Sequence, residues 1–212
     1  MHIPDGFISM PVAAVGIVVA AGSVAYAVKA TNKKMGEKQI PLMGVLAAFI
    51  FAAQMLNFPV AGGTSGHLVG AALAAILLGP SPALLIMTCV LIVQSLVFQD
   101  GGLLALGANI FNMGIVPCFV GYYLYRGIAS LFRKRKLGIM VSGGVAAWVT
   151  VVIASVACAL ELAISGTVPL RVALPAMAGV HALIGIGEGL ISAAVLALVL
   201  ATRADLLELQ KA

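Results

Sequence analysis

The first two residues, Met1 and His2, carry the densest set of nitrogen donors in the 212-residue chain. A free α-amine, the peptide nitrogen of His2 and the His2 Nδ1 can close a five-membered and a six-membered chelate ring around one metal ion, once the peptide nitrogen loses its proton. Those three nitrogens share a plane, and a fourth in-plane donor completes a square, the geometry associated with Ni(II) or Cu(II). His67 is the candidate for that donor. It follows Gly62-Gly63-Thr64-Ser65-Gly66, a run flexible enough to bring backbone close to an ion. A His at position 2 occurs by chance in many chains, and it gains meaning here from His67 on the same face. His2 is also too bulky for the usual removal of an initiator Met, so the mature chain is expected to start at Met1 with a free amine.

Other polar side chains recur at one depth. Gln54 and Asn57 close one apolar run, His67 opens the next, Gln94 lies near the end of another, Asn109 and Asn112 open the following one, and His181 opens the last. Taken singly, each is more simply an amide or imidazole meeting interfacial water or bonding across helices, worth ~0.6 to 2 kcal/mol. Seven of them from five runs, beside the polar segment Met1-His2-Ile3-Pro4-Asp5-Gly6, point to a shared polar site. Around it, Asp5, Gln94, Asn109, His181 and Glu188 are expected to orient the ligands rather than to bind the ion. His181 and Glu188 are seven residues apart, so they share a helix face about 10.5 Å apart along the axis. A glutamate within an apolar run is a functional hypothesis by default. The alternative is a hydrogen-bonded structural Glu188, with Gly185, Gly187 and Gly189 letting a neighbouring helix approach, and both readings stay open.

The composition names the solvent in which these residues must be positioned. Hydrophobic residues make up 62% of the chain and charged ones 9%, against about 45 to 50% and 25% in soluble domains. Residues 39–99, 101–125, 137–160, 172–187 and 189–202 contain no Asp, Glu, Lys or Arg, as expected where an ionised group costs several kcal/mol. The chain is read as an all-α integral membrane protein with about seven transmembrane helices, near 10–29, 40–57, 67–79, 82–98, 103–126, 138–164 and 176–202. The third, before Gly79-Pro80-Ser81-Pro82, would reach only about 20 Å and so forms a buried short helix or half of a hairpin. Eleven of twelve Lys and Arg residues fall in three clusters: Lys29, Lys33, Lys34 and Lys38; Arg126, Arg133, Lys134, Arg135 and Lys136; Arg203 and Lys211. The positive-inside rule puts these in the cytoplasm and the N-terminus outside, with Asp5, Asp100 and Glu161 near the outer face and the C-terminus cytoplasmic. The N-terminus lacks the basic region of a signal peptide. Residues 1–212 read as a single domain. The net charge of +5 belongs to topology rather than to a nucleic-acid surface, and Cys89, Cys118 and Cys158 are expected to be packing residues.

Met1-His2-Ile3-Pro4-Asp5-Gly6-Phe7, GGTSGHLVGAALAAILLGP (62–80), QSLVFQDGGLLALGANIFNMG (94–114) and HALIGIGEGLI (181–191) resemble the motifs of the CbiM/NikM family. These are the membrane substrate-binding (S) components of energy-coupling factor importers for cobalt or nickel. The resemblance covers nearly the whole chain and departs from the family pattern at Gln99, where Gly is common. It implies a seven-helix bundle with the N-terminal segment drawn in to hold Ni2+ or Co2+ through the Met1 amine, the His2 backbone and side-chain nitrogens, and His67. No phosphate-binding G-x-x-x-x-G-K-[ST] loop occurs, so energy would come from partner ATPase subunits through a membrane coupling (T) subunit, with a small accessory membrane subunit as a further partner. The resemblance further implies that the first helix, with small residues at Ala14, Ala21, Gly22, Ala25 and Ala30, meets the coupling subunit. The alternative for that face is packing within the chain. The expected location is a prokaryotic cytoplasmic membrane.

Two readings from other classes compete. Gly63-Thr64-Ser65-Gly66 fits the G-x-S-G of rhomboid-type intramembrane serine proteases, with Ser65 as nucleophile and His181 as base. That pattern arises easily in a chain with 24 glycines, and His181 is followed by Gly at the fourth position rather than the third. A cation channel would need polar groups through both leaflets, and apart from Glu188 the inner half offers almost none.

Overall fold

Backbone in hydrocarbon has no water to bond, so an apolar chain crosses as helices that satisfy their own amides. The computed structural model describes residues 1–34, 36, 40–60, 64–132 and 135–207. They form α1 (Met10–Lys34), α2 (Ile40–Gln54), an antiparallel ribbon of β1 (Phe58–Val60) and β2 (Thr64–Gly66), α3 (Ala71–Leu78) and α4 (Pro80–Val97). A continuous rod follows, made of α5 (Leu106–Ile110), a π-helical stretch (Phe111–Val120) and α6 (Gly121–Leu131); then come α7 (Lys136–Ile164) and α8 (Leu170–Thr202). Helices α1, α4, α7 and α8 are long and apolar enough to cross a bilayer, and α2 is a shorter apolar helix. The protein is a predominantly helical, multi-pass membrane protein.

Several boundaries differ from the sequence reading: α1 runs to Lys34 rather than to 29, α2 stops at Gln54 rather than at 57, and α6 runs to Leu131 rather than to 126. Helix α3 has 8 residues and begins at Ala71 rather than at His67, because Gly70 takes a left-handed conformation (φ 73°) that interrupts the helix before it. His67 therefore sits in irregular chain ahead of the helix. Helix α8 begins at Leu170 rather than at 176, running through Pro175, whose missing N–H removes one helical hydrogen bond. The ribbon of β1 and β2 escapes a sequence reading, since three-residue strands carry no readable alternation.

Small residues set the closest helix contacts. A Cβ on Gly144 of α7 would lie 2.9 Å from the Gly189 carbonyl oxygen of α8, and the reverse holds for Gly189. In α1 the buried stripe is Ala13, Ala20 and Ala27, and a Cβ on Gly16 would lie 2.8 Å from the Ala108 nitrogen. Ala14, Ala21, Gly22 and Ala25 face outward instead, so their face is not used for packing among the described residues. Cys118 and Cys158 are buried as packing residues, but Cys89 is exposed on α4, contrary to the expectation for it. Lys38, Arg133, Lys134, Lys211, Gly62 and Gly63 lie outside the described residues.

Candidate metal centre

Residues 1–9 fold back against the bundle, and Met1, His2 and Ile3 are buried. Asn109 of α5 does much of the anchoring. Its Oδ1 accepts from the Ile3 N–H at 2.8 Å and its Nδ2 donates to the Ile3 carbonyl at 3.1 Å, a strand-like pairing made by a side chain. The Gly102 N–H donates to the same carbonyl at 2.9 Å. Asp5 accepts from the Leu103 and Leu104 amides at 3.1 and 2.8 Å, and the Thr167 hydroxyl donates to the Phe7 carbonyl at 2.7 Å. The 100–102 turn needs glycine: Gly101 has φ 93° with Asn109 and His2 packed against it, and a side chain at Gly102 would collide with Asp5.

Held this way, the Met1 amine lies at the end of β2. It donates to the Ser65 carbonyl, and it lies 3.3 Å from Ser65 Oγ and 3.3 Å from His67 Nε2. The His67 Nδ1–H donates to the Leu68 carbonyl at 2.8 Å, which leaves the Nε2 lone pair turned toward the amine. The His2 and His67 rings have centroids 4.6 Å apart.

A chain of amides decides which His2 nitrogen is free. Gln54 Nε2 donates to the Val69 carbonyl at 2.8 Å, and because a carbonyl only accepts, this sets the direction of the Gln54 amide. Gln54 Oε1 then accepts from Gln94 Nε2 at 2.9 Å, so Gln94 Oε1 faces His2 Nε2 at 3.0 Å and takes its proton in a hydrogen bond. The His2 Nδ1, the nitrogen that a Met-His chelate uses, is left as a lone pair with no hydrogen-bond partner. Asp100 Oδ1 stands 3.3 Å from it.

Residues 67–70 are irregular chain packed into the bundle, where each backbone group needs a partner. Glu188 supplies two of them, accepting from the Val69 N–H at 2.6 Å and the Gly70 N–H at 2.9 Å. Of the two roles left open for Glu188, this contact favours the structural one: it anchors the strand of chain that carries His67. His181 is buried, donates through Nδ1 to the Met177 carbonyl at 2.8 Å and also meets the Ser65 backbone. The Ser65 hydroxyl neighbours the terminal amine instead, and among the described residues no hydrogen bond joins that hydroxyl to His181, so no nucleophile and base pair is formed there. Gln54, His67, Gln94, Asn109, Asn112 and His181 are buried as a shared polar site would require, whereas Asn57 is exposed and takes no part. Asn112 donates to Glu161 at 2.5 Å rather than to the N-terminal segment.

Burial also sets the charge of the donors. Desolvation lowers the Met1 amine from 8.0 to about 5, with Cys158 and Asp100 acting in the opposite direction. Desolvation, aided by that amine and opposed by Gln94, lowers His2 from 6.5 to about 3. His67 is held well below 6.5, again first by desolvation. All three are neutral near pH 7, the state in which nitrogen binds a metal. Among the described residues no group of three or more His, Cys, Asp or Glu side chains is placed to hold a metal ion, so the candidate centre depends on the terminal amine and a peptide nitrogen beside its two imidazoles. The sequence reads Asp100 only as a charge near the outer face and Ser65 only as a candidate nucleophile. Nothing in the sequence signals that a Ser65 backbone carbonyl would receive the amine.

The sequence model of the CbiM family, described as a cobalt uptake substrate-specific transmembrane region, matches residues 2–206. A protein of Archaeoglobus fulgidus named as a fused nickel transport protein, NikMN, is 44% identical over 214 residues, covering 100% of this chain and 69% of that one. A protein of Haloquadratum walsbyi named as a metal transport protein is 43% identical over 210 residues, 97% of this chain and 93% of that one. Among solved structures, a truncated transition metal transporter matches with a TM-score of 0.90 at 37% identity, covering 95% of this chain and 99% of that one.

Proposed function

The chain belongs to the CbiM family of substrate-specific transmembrane regions, membrane components of cobalt and nickel transport, and from that premise we propose that it binds Ni2+ or Co2+ with high affinity from outside and serves as the substrate-binding component of an ATP-driven energy-coupling factor importer. The observation that carries the proposal is the convergence of the Met1 amine, His2 and His67, all buried and neutral, with the proton of each imidazole held away from the nitrogen a metal would use. In this reading the Met1 amine, the His2 peptide nitrogen, His2 Nδ1 and His67 Nε2 hold the ion, which is cargo. Asp5 and Asn109 fix the N-terminal segment, Gln94 fixes the His2 ring and Glu188 fixes the chain around His67. His181 completes the buried polar wall.

The rest of the machine lies in partners: a membrane coupling subunit, ATPase subunits and a small accessory membrane subunit. The N-terminus faces out and the C-terminus faces the cytoplasm of a prokaryotic cell. Nickel and cobalt are both kept, because intrinsic affinity at nitrogen sites favours Ni(II) over Co(II) while cellular supply decides the cargo.

The test is the register of the terminal amine. One Gly added before Met1, or His2→Ala, is expected to abolish Ni2+ binding to the purified protein while its folding is unchanged. Unaltered affinity in the extended protein sinks the proposal.

A further inference from the structure

We infer that Asp100 is the counter-charge of the metal site and the carboxylate through which the aqueous dication enters it, an inference that rests on the metal-binding reading above. A dication held by three neutral nitrogens and one deprotonated peptide nitrogen keeps one positive charge. Met1 and His67 are 0% exposed and His2 3%, so that charge is far from water and needs a partner. Three nearby carboxylates are already engaged: Asp5 by the Leu103 and Leu104 amides, Glu188 by the Val69 and Gly70 amides, and Glu161 by Asn112. Asp100 is different. Its Oδ1 stands 3.3 Å from His2 Nδ1, a nitrogen that carries no proton to share, since the Gln54–Gln94 chain keeps the proton on Nε2. An anion set against a lone pair is a repulsive contact, and a cation on Nδ1 turns it into an attractive one.

The surroundings of Asp100 supply the entry. Its side chain keeps 20% exposure, whereas that of His2 keeps 3%. Gln99 and Gly101, its two chain neighbours, line an open cavity of about 350 Å³ together with Pro4, Asp5, Ser95 and Gly102. The turn is built to hold this pose: Gln99 has φ 55° and Gly101 φ 93°, while the Asp100 N–H donates to the Gln94 carbonyl at 3.0 Å. Gln94 thus holds both the metal-binding ring and the carboxylate opposite it. A hydrated cation is attracted to the exposed carboxylate, exchanges water for His2 Nδ1 and is then enclosed. The His2 peptide proton leaves to water through the same opening as its nitrogen bonds the metal, and no electrons are transferred.

The experiment uses the purified full chain and Ni2+, with Asp100→Asn and Asp100→Glu. Affinity is measured by chelator competition, association rate by stopped flow at several ionic strengths, and site geometry by the ligand-field absorption of bound Ni2+. For Asp100→Asn the expected result is a 10- to 100-fold loss of affinity, slower association with a weaker salt dependence, and an unchanged absorption spectrum. Asp100→Glu, which keeps the charge, is expected to restore most of the affinity. Unchanged affinity and rate in Asp100→Asn overturn the inference. So does an altered spectrum, or an Asp100→Glu no better than Asp100→Asn, because Asp100 would then be shaping the site rather than balancing it. His2→Ala run alongside separates the two levels: if it binds Ni2+ like the parent, the metal-site reading itself fails.

Discussion

An imidazole binds a metal only through a nitrogen without a proton, and in the proposed site that choice is made by neighbours outside the ligand set. The Leu68 carbonyl takes the His67 proton, and Gln94, oriented by Gln54, takes that of His2. The amine is treated by burial instead. Its value of about 5 in the docked segment lies below the ordinary 8.0, so between those values the undocked segment binds more protons. Docking is fully supported above pH 8 and loses support as pH falls toward 5, by on the order of 4 kcal/mol for three units. In the proposed chelate one proton, from the His2 peptide, would be displaced per metal above about pH 5 and two below it, where the amine is protonated. Affinity is therefore expected to fall about tenfold for each unit by which the pH is lowered toward 5, and more steeply beneath it. Competition titrations from pH 4 to 9 check this, and a break near 8 would mean that the amine is not buried in solution.

At the scale of elements, the site depends on segments that are not regular helix. Residues 67–70 can stay outside helix because Glu188 of α8 and Gln54 of α2 bond the Val69 and Gly70 backbone that a helix would have satisfied internally. Removing the carboxylate with Glu188→Ala leaves two buried N–H groups unpaired, each worth about 1 to 3 kcal/mol. A lower thermal midpoint and a 10- to 100-fold weaker Ni2+ affinity are expected, both measurable on purified protein; normal affinity would restrict Glu188 to folding or to transport steps. Helix α1 behaves differently on its two faces. Ala13, Ala20 and Ala27 are buried, while Ala21 and Ala25 face outward at small-x-x-x-small spacing. Ala21→Leu combined with Ala25→Leu is expected to leave metal affinity intact and to block assembly with a coupling subunit, read by co-purification. A loss of binding in the isolated double variant would assign that face to the internal core.

For the whole molecule, the ends of the bundle differ in kind. One end gathers Met1, His67, Gln94, Asp100, Asn109 and Thr167, whereas Lys33 lies near the end of α1, Arg126 within α6 in the last part of the continuous rod, and Arg203 just past α8. If the donor end faces outward, a cysteine replacing exposed Ile164 at the end of α7 should react with a membrane-impermeant maleimide in intact cells. Cys89 is changed to Ala in that background, and a cysteine at Arg203 serves as the protected control. Labelling of the Arg203 position with protection of the Ile164 position would invert the topology.

Apolar runs free of ionised groups were enough to declare membrane helices, because the cost of charge in hydrocarbon is written directly into composition. The proposed Met1-His2 chelate can likewise be written from the sequence, since its rings would close within two residues, and His67 is paired with it there by its glycine-rich lead-in and by family motifs. What stayed hidden were the partners of single polar atoms. Glu188 reads alike in sequence as functional or structural, and only the fold brings the Val69 and Gly70 amides to it. Asn57 and Gln54 are three residues apart and equally polar, yet one is exposed and the other sets the His2 proton. Asp100 passed for a boundary charge until the turn at Gly101 set it against Nδ1. Helix periodicity and charge cost act locally and can be read in order along the chain. A buried hydrogen bond joins residues tens of positions apart, and tertiary packing alone decides which donor meets which acceptor.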